Sequence, residues 1–205
     1  TTLIHTRKKR HKSAPAQGAA LKVAAAKHAK LSANILMFYS DKLFWFGQWY
    51  RQLWAESIGK DGYGATPVPF MGTVDQHSQL QLYLDGPSDK LFSTIMHDYK
   101  GSGMSINASV TGGVDLGTLE QRTLGDLINA SQRGTVDALV AANRPVRTIA
   151  TGELNEATLG ALMMHFMLET IIAADLLEVD PFNQPAVENG KKRTKQYLKN
   201  FTDKC

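Results

Sequence analysis

Apolar and polar positions along the chain follow two rhythms. Residues 34–39 (NILMFY) form a short, nearly continuous apolar run, the pattern of a strand buried on both faces. Ser40 and Asp41 follow as helix-start residues. Leu43, Phe46, Tyr50 and Leu53 then recur at helical spacing, with Trp49 and Trp54 widening the stripe and Gly59 as terminator. The same reading predicts strands over 67–72, 91–96 and 146–150. It predicts helices over 77–84, 119–142 (with a break near Gly134), 155–177 and 184–200, and an Ala-rich helical stretch over 21–29. Residues 99–118, rich in Gly and Ser, read as a loop. Strands alternating with helices imply an α/β fold, a parallel sheet sandwiched between helices.

Composition adds a boundary. Of the 23 Lys and Arg residues, eight fall in residues 1–30, which hold no acid. The remaining 15 basic residues face 19 acidic ones. The formal charge of +4 therefore belongs to a basic leader, residues 1–30, and 31–205 form a mildly acidic domain. The cluster Arg7-Lys8-Lys9-Arg10 reads as a solvated, flexible segment, and nucleic acid is not the expected partner of the body. There is no run of eighteen apolar residues, and no membrane partner is expected. The start of the chain carries no secretory signal pattern. Cys205 is the single cysteine, which fits a reducing, cytoplasmic compartment. The initial Thr points to a portion of a longer chain.

Three positions stand out chemically. Glu56 lies in the last turn of the 41–58 helix, on the polar face with Gln52 and Gln48. A carboxylate there faces the negative end of the helix dipole, which suits a proton acceptor. His77 sits in a dense polar run, Thr73-Val74-Asp75-Gln76-His77-Ser78-Gln79, just beyond a strand, where open parallel sheets gather ligands. Asp75 or Gln79 is expected to orient its imidazole. Lys191 follows Gly190 early in the last helix, where the dipole opposes its charge. On position alone, Glu56 and Lys191 read more readily as ordinary surface residues, and His77 equally as a loop histidine. His97 and His165 are weaker candidates, and His165 reads as a core or interface histidine. No pair of histidines has metal-ligand spacing, so no metal is expected.

Longer segments are more specific. Trp49-Tyr50-Arg51-Gln52-Leu53-Trp54-Ala55-Glu56-Ser57-Ile58-Gly59-Lys60 resembles the Glu-Ser-x-Gly-Lys segment of glucose-6-phosphate isomerases. Gly72-Thr73-Val74-Asp75-Gln76-His77-Ser78-Gln79 resembles that family's second signature. Asp180-Pro181-Phe182-Asn183-Gln184-Pro185-Ala186-Val187-Glu188-Asn189-Gly190-Lys191 resembles its C-terminal one. The resemblance covers residues 31–200 and implies the C-terminal half of such an enzyme, a sugar-isomerase (SIS-type) domain. It implies interconversion of glucose 6-phosphate and fructose 6-phosphate through a cis-enediol, in glycolysis and gluconeogenesis, without a cofactor. Glu56 is then the base, His77 and Lys191 open the sugar ring, and Gln184 holds sugar hydroxyls. The family's N-terminal half, with most of its phosphate-binding residues, has no counterpart here. Nor does the Gly-Gly-Arg-type segment, which Arg7 and Arg10 do not match. A second reading is therefore a catalytically inactive sugar-phosphate-binding or scaffolding chain.

Topology makes one further expectation. The helix ending near Glu56 runs back from its strand, which puts Glu56 at the N-terminal ends of the strands. His77 directly follows a strand and lies at the C-terminal ends, while Lys191 belongs on the Glu56 side. A strand spans about 17–20 Å, too far for Glu56 and His77 of one chain to share a substrate. A homodimer with His77 supplied in trans is the expected solution, in agreement with the family's known dimers.

Overall fold

A computed structural model describes residues 13–107, 109 and 112–202. The Arg7–Arg10 cluster and Cys205 lie outside the described residues. Four parallel strands form one sheet in the order β2-β1-β3-β4: β1 (Ala33–Phe38), β2 (Thr66–Met71), β3 (Lys90–Met96) and β4 (Val146–Ala150). Helices alternate with them as expected: α1 (Ala14–His28), α2 (Phe44–Ile58), α3 (Val74–Asp85), α4 (Leu124–Ala141), α5 (Glu156–Leu177) and α6 (Pro185–Thr202).

The two-sided burial predicted for β1 follows from its pleat. Leu36 and Phe38 face a core built with α1, α2 and α5, including Phe46, Tyr50, Trp54 and Phe166. Ile35 and Met37 face the opposite core, with Tyr83 of α3 and Leu139 of α4. Two prolines sit in β2 because it is an edge strand. Thr66 N and Gly72 N donate to β1-side carbonyls, so by alternation Pro67 and Pro69 turn their missing N–H groups outward. Several helix starts differ from the sequence reading, two of them near the candidate residues or the loop before them. α4 begins at Leu124, set by a Thr123–Asp126 capping box, and continues unbroken past Gly134. α3 begins at Val74, so His77 lies within its first turn.

Residues 14–28, counted with the basic leader by charge, form α1 and pack on α5. Lys22 of α1 is 2% exposed and its Nζ lies 2.7 Å from Oε1 of the fully buried Glu169. Arg147 of β4 grips the same carboxylate through Nη1 and Nη2, at 2.8 and 2.9 Å, and donates Nε to Ser93. The Lys22 ammonium stands over the rings of Tyr50 and Trp54, 4.6 and 4.3 Å from their centroids. Burial lowers the Lys22 pKa to about 8 against the pull of Glu169, and Arg147 lowers it further. Burial alone would raise the Glu169 carboxyl, but Lys22 and Arg147 hold it well below the usual carboxylate range. A Cβ on Gly18 would lie 1.9 Å from Glu169 Oε2, so glycine is what lets α1 approach.

α5, 22 residues long, is apolar enough by length and composition to cross a membrane, although it contains no unbroken run of eighteen apolar residues. Here it is the central helix of the α1–α2–α5 layer and carries the buried Glu169.

Glu169→Gln should cost about 3–5 kcal/mol in urea unfolding, because the buried Lys22 and the partly buried Arg147 lose their carboxylate. Lys22→Met leaves one cation on one carboxylate and should stay within about 1 kcal/mol of the parent. Because the folded Lys22 titrates near 8, below its ordinary 10.5, the unfolded chain binds the extra proton between those values. Lys22 thus makes stability rise with pH across that window, and Lys22→Met should remove that component of the pH profile.

Candidate active site

The sheet's polarity separates the candidate residues into two groups. α2 returns antiparallel to β1 and delivers Glu56 to the N-terminal edge, where Trp54 Nε1 donates to Ala65 O just before β2. The half-buried Glu56 carboxylate accepts two amides. Gln52 Nε2 reaches Oε1 at 3.1 Å, one helical turn away, and Gln184 Nε2 reaches Oε2 at 2.7 Å across 128 residues. The 180–184 segment is held for this contact. Lys60 Nζ donates to the carbonyls of Ser57 and Asp180, tying the end of α2 to the segment. Asp180 in turn accepts from Phe182 N at 2.9 Å and Asn183 Nδ2 at 2.8 Å.

Lys191 does not join Glu56. It lies on α6, exposed, with Nζ 2.7 Å from Glu188 Oε1. α6 leaves the Glu56 edge directly after Gln184, and at 1.5 Å per residue Lys191 is about 10 Å along it from Gln184. A Cβ on Gly190 would meet nothing within 4 Å, so in this state no backbone or side chain uses the close approach that a glycine permits.

His77 stands at the opposite, C-terminal edge, exposed on the first turn of α3. The partners expected for its imidazole are committed elsewhere. Asp75 Oδ2 accepts from Met71 N at 2.8 Å, and Gln79 Oε1 accepts from Tyr83 OH at 2.6 Å. The neighbour that sequence reasoning passed over is Gln76. Its Oε1 accepts from Tyr39 OH at 3.1 Å and Thr135 Oγ1 at 3.0 Å. Tyr39 and Thr135 lie 37 and 59 residues from Gln76, so no local pattern announces them. The Tyr39 ring lies directly on Gly72, where a Cβ would come within 2.2 Å of it.

Two cavities flank these edges. One of about 340 Å³ opens at the ends of β1 and β2, lined by Tyr39, Ser40, Lys42, Thr73 and Tyr99. A larger one of about 550 Å³ lies between α1 and the 62–66 turn, with Lys22, Lys27, Trp54 and Tyr63 in its wall, and includes neither Glu56 nor His77. His165 Nε2 lies 3.2 Å from Glu169, a core position as expected. Among the described residues, no group of three His, Cys, Asp or Glu side chains gathers to hold a metal.

The chain is 40% identical over 178 residues to a glucose-6-phosphate isomerase of Rubrobacter xylanophilus, a match covering 84% of this chain and 41% of that protein. It is 38% identical over 161 residues to a probable glucose-6-phosphate isomerase of Methanococcus maripaludis, covering 78% and 36% respectively. A hypothetical protein from Thermus thermophilus, of known structure, superposes with a TM-score of 0.80 at 31% identity, covering 96% of this chain and 49% of that one. The structure of a Chlamydia trachomatis glucose-6-phosphate isomerase shares the fold at a TM-score of 0.71 and 18% identity, covering 97% and 41%. No protein-family model matches. The chain spans about two fifths of the length of the curated relatives it matches.

Gly72→Ala should push the Tyr39 ring off its seat and cost about 1–3 kcal/mol, read as a lowered thermal midpoint.

Proposed function

Because the chain belongs to the glucose-6-phosphate isomerase family, we propose that it carries the proton-transfer base of an aldose–ketose isomerase acting on glucose 6-phosphate and fructose 6-phosphate. The supporting observation is the Gln184–Glu56 contact. Two residues assigned separate roles, base and sugar holder, meet across 128 residues of chain.

The chemistry needs no cofactor. Glu56 takes the proton from C2 of the open-chain sugar, the C2–H electrons become the C1=C2 bond and the C1 carbonyl pair moves onto O1; transfer of the C2 hydroxyl proton to O1 completes the exchange between the two oxygens of the cis-enediol. Glu56 then returns the proton to C1, leaving the carbonyl at C2. The two amides on Glu56 fix the direction of its lone pairs, and an oriented base contributes roughly 10²–10⁴-fold in rate. His77 and Lys191 assist ring opening by exchanging protons at the ring oxygen and its hydroxyl. Lys191 must leave Glu188 to do so, and an anionic substrate gives it a competing partner.

Within one chain His77 and Glu56 lie at opposite edges of a sheet whose six-residue β1 is about 20 Å long. The reading therefore includes a homodimer in which His77 of one copy completes the Glu56 site of the other. The place of action is the cytoplasm, consistent with the single cysteine. A second reading, a sugar-phosphate-binding or scaffolding chain without turnover, draws on the pairing of Lys191 with Glu188 and on the greater length of the relatives.

A coupled assay of fructose 6-phosphate conversion separates the two readings. Glu56→Gln should lower kcat by about a thousandfold with tight sugar-phosphate binding retained. An unchanged rate removes Glu56 as the base, and binding without any turnover in the parent favours the second reading. Mixing Glu56→Gln with His77→Gln chains should restore about a quarter of parental activity, because half the dimers then hold one intact site. No recovery on mixing rules out the shared site.

A further inference from the structure

α3 carries His77 in its first turn, yet that turn lacks the usual side-chain cap, since Thr73 makes no capping hydrogen bond. It is secured from outside instead. Asp75 ties it to the end of β2 through Met71 N. Gln76 ties it to two further elements at once, because one oxygen accepts hydroxyls from Tyr39, just past β1, and Thr135 of α4. Both donors are buried, at 3% exposure each. Tyr39 is further pinned by its ring against Gly72. Burial raises the Tyr39 phenol above its ordinary value while Thr135 pulls the other way, so the phenol remains a neutral donor at physiological pH. The first turn of α3 thus has a fixed inner side, Gln76, and a free outer side, the exposed His77.

We infer that Tyr39 and Thr135 are positioning residues for His77: by holding Gln76 they set the height and direction at which the imidazole leaves the sheet's C-terminal edge. This rests on the proposed role of His77. A side chain that acts on a second copy's substrate has no neighbours of its own to aim it until the copies meet. The turn beneath must therefore define its place beforehand. Two hydroxyls converging on one amide oxygen resist both sliding of α3 along the sheet and rotation about its axis, which a single bond would not do.

The test uses the purified chain with both donors removed, Tyr39→Phe with Thr135→Val, each keeping its shape. Thr135→Ser, which keeps the donor, is the conservative control. Amide hydrogen exchange at residues 77–80, whose N–H groups close the first turns of α3, should accelerate about tenfold in the double variant and not in Thr135→Ser, with β1 and β3 unchanged. In the isomerase assay kcat should fall roughly ten- to a hundredfold with KM within about twofold, the cost of a misplaced group rather than lost binding. Placed in a His77→Gln background, the same pair should cause no further loss. Unchanged exchange at 77–80 overturns the inference, as does an equal loss of kcat with and without His77. If His77→Gln alone leaves kcat intact while exchange still accelerates, the turn is held as described and the role of His77 is what fails.

Discussion

A single carboxylate, buried without access to water, carries the charges of two cations, the buried Lys22 and the partly buried Arg147. Glu169 sits at the junction of α1, β4 and α5, and Lys22 and Arg147 reach it from separate elements. Two positive charges on one negative leave a surplus inside the protein, which the rings of Tyr50, Trp54 and Phe166 offset with their negative faces. Such a knot contributes little net stability over a well-packed apolar substitute, but its parts are mutually dependent. Its consequence is geometric: α1 is locked to α5 close enough that Gly18 has no room for a side chain. The α1–α2–α5 layer then has one arrangement, and the end of α2, with Glu56, inherits its position from it.

The sheet's direction does the rest. In a parallel sheet, every strand-to-helix junction falls at one edge and every helix-to-strand junction at the other. α2 ends at the second kind of junction and α3 begins at the first. Glu56 and His77 are consequently separated by connectivity, whatever their local chemistry, and no rotamer change brings them together. The 180–184 segment extends the argument, because it returns to the Glu56 edge only after α5 has crossed the length of the sheet.

These features were unequally legible. The apolar run was clearest at β1, which like β3 is central and buried on both faces, where side chains are needed that other elements would not tolerate at that density. Pro67 and Pro69 are tolerated in β2 because it is an edge, which the sequence does not show. Lys22 was counted as solvated charge, because composition treats every lysine alike and the carboxylate that buries it lies far along the chain. Asp75 and Gln79 were assigned to His77 by proximity in sequence, whereas in a helix's first turn such side chains find backbone and cross-turn partners first. Gln76 went unnoticed because both its donors come from other elements.

The pairing around Glu56 bears on how a proton-transfer site is assembled. Its oxygens are directed by neutral amides, from Gln52 and Gln184, while Lys191 stays with Glu188. Amide donors orient a carboxylate without placing a full charge beside it, so its own charge remains available to draw a proton from carbon. Under the proposed reading, the positive charge that a developing enediolate requires would come from groups other than these amides. The relatives' additional length leaves room for such groups. Lys191, on an exposed helix beginning beside Gln184, has the charge to be one of them once it leaves Glu188.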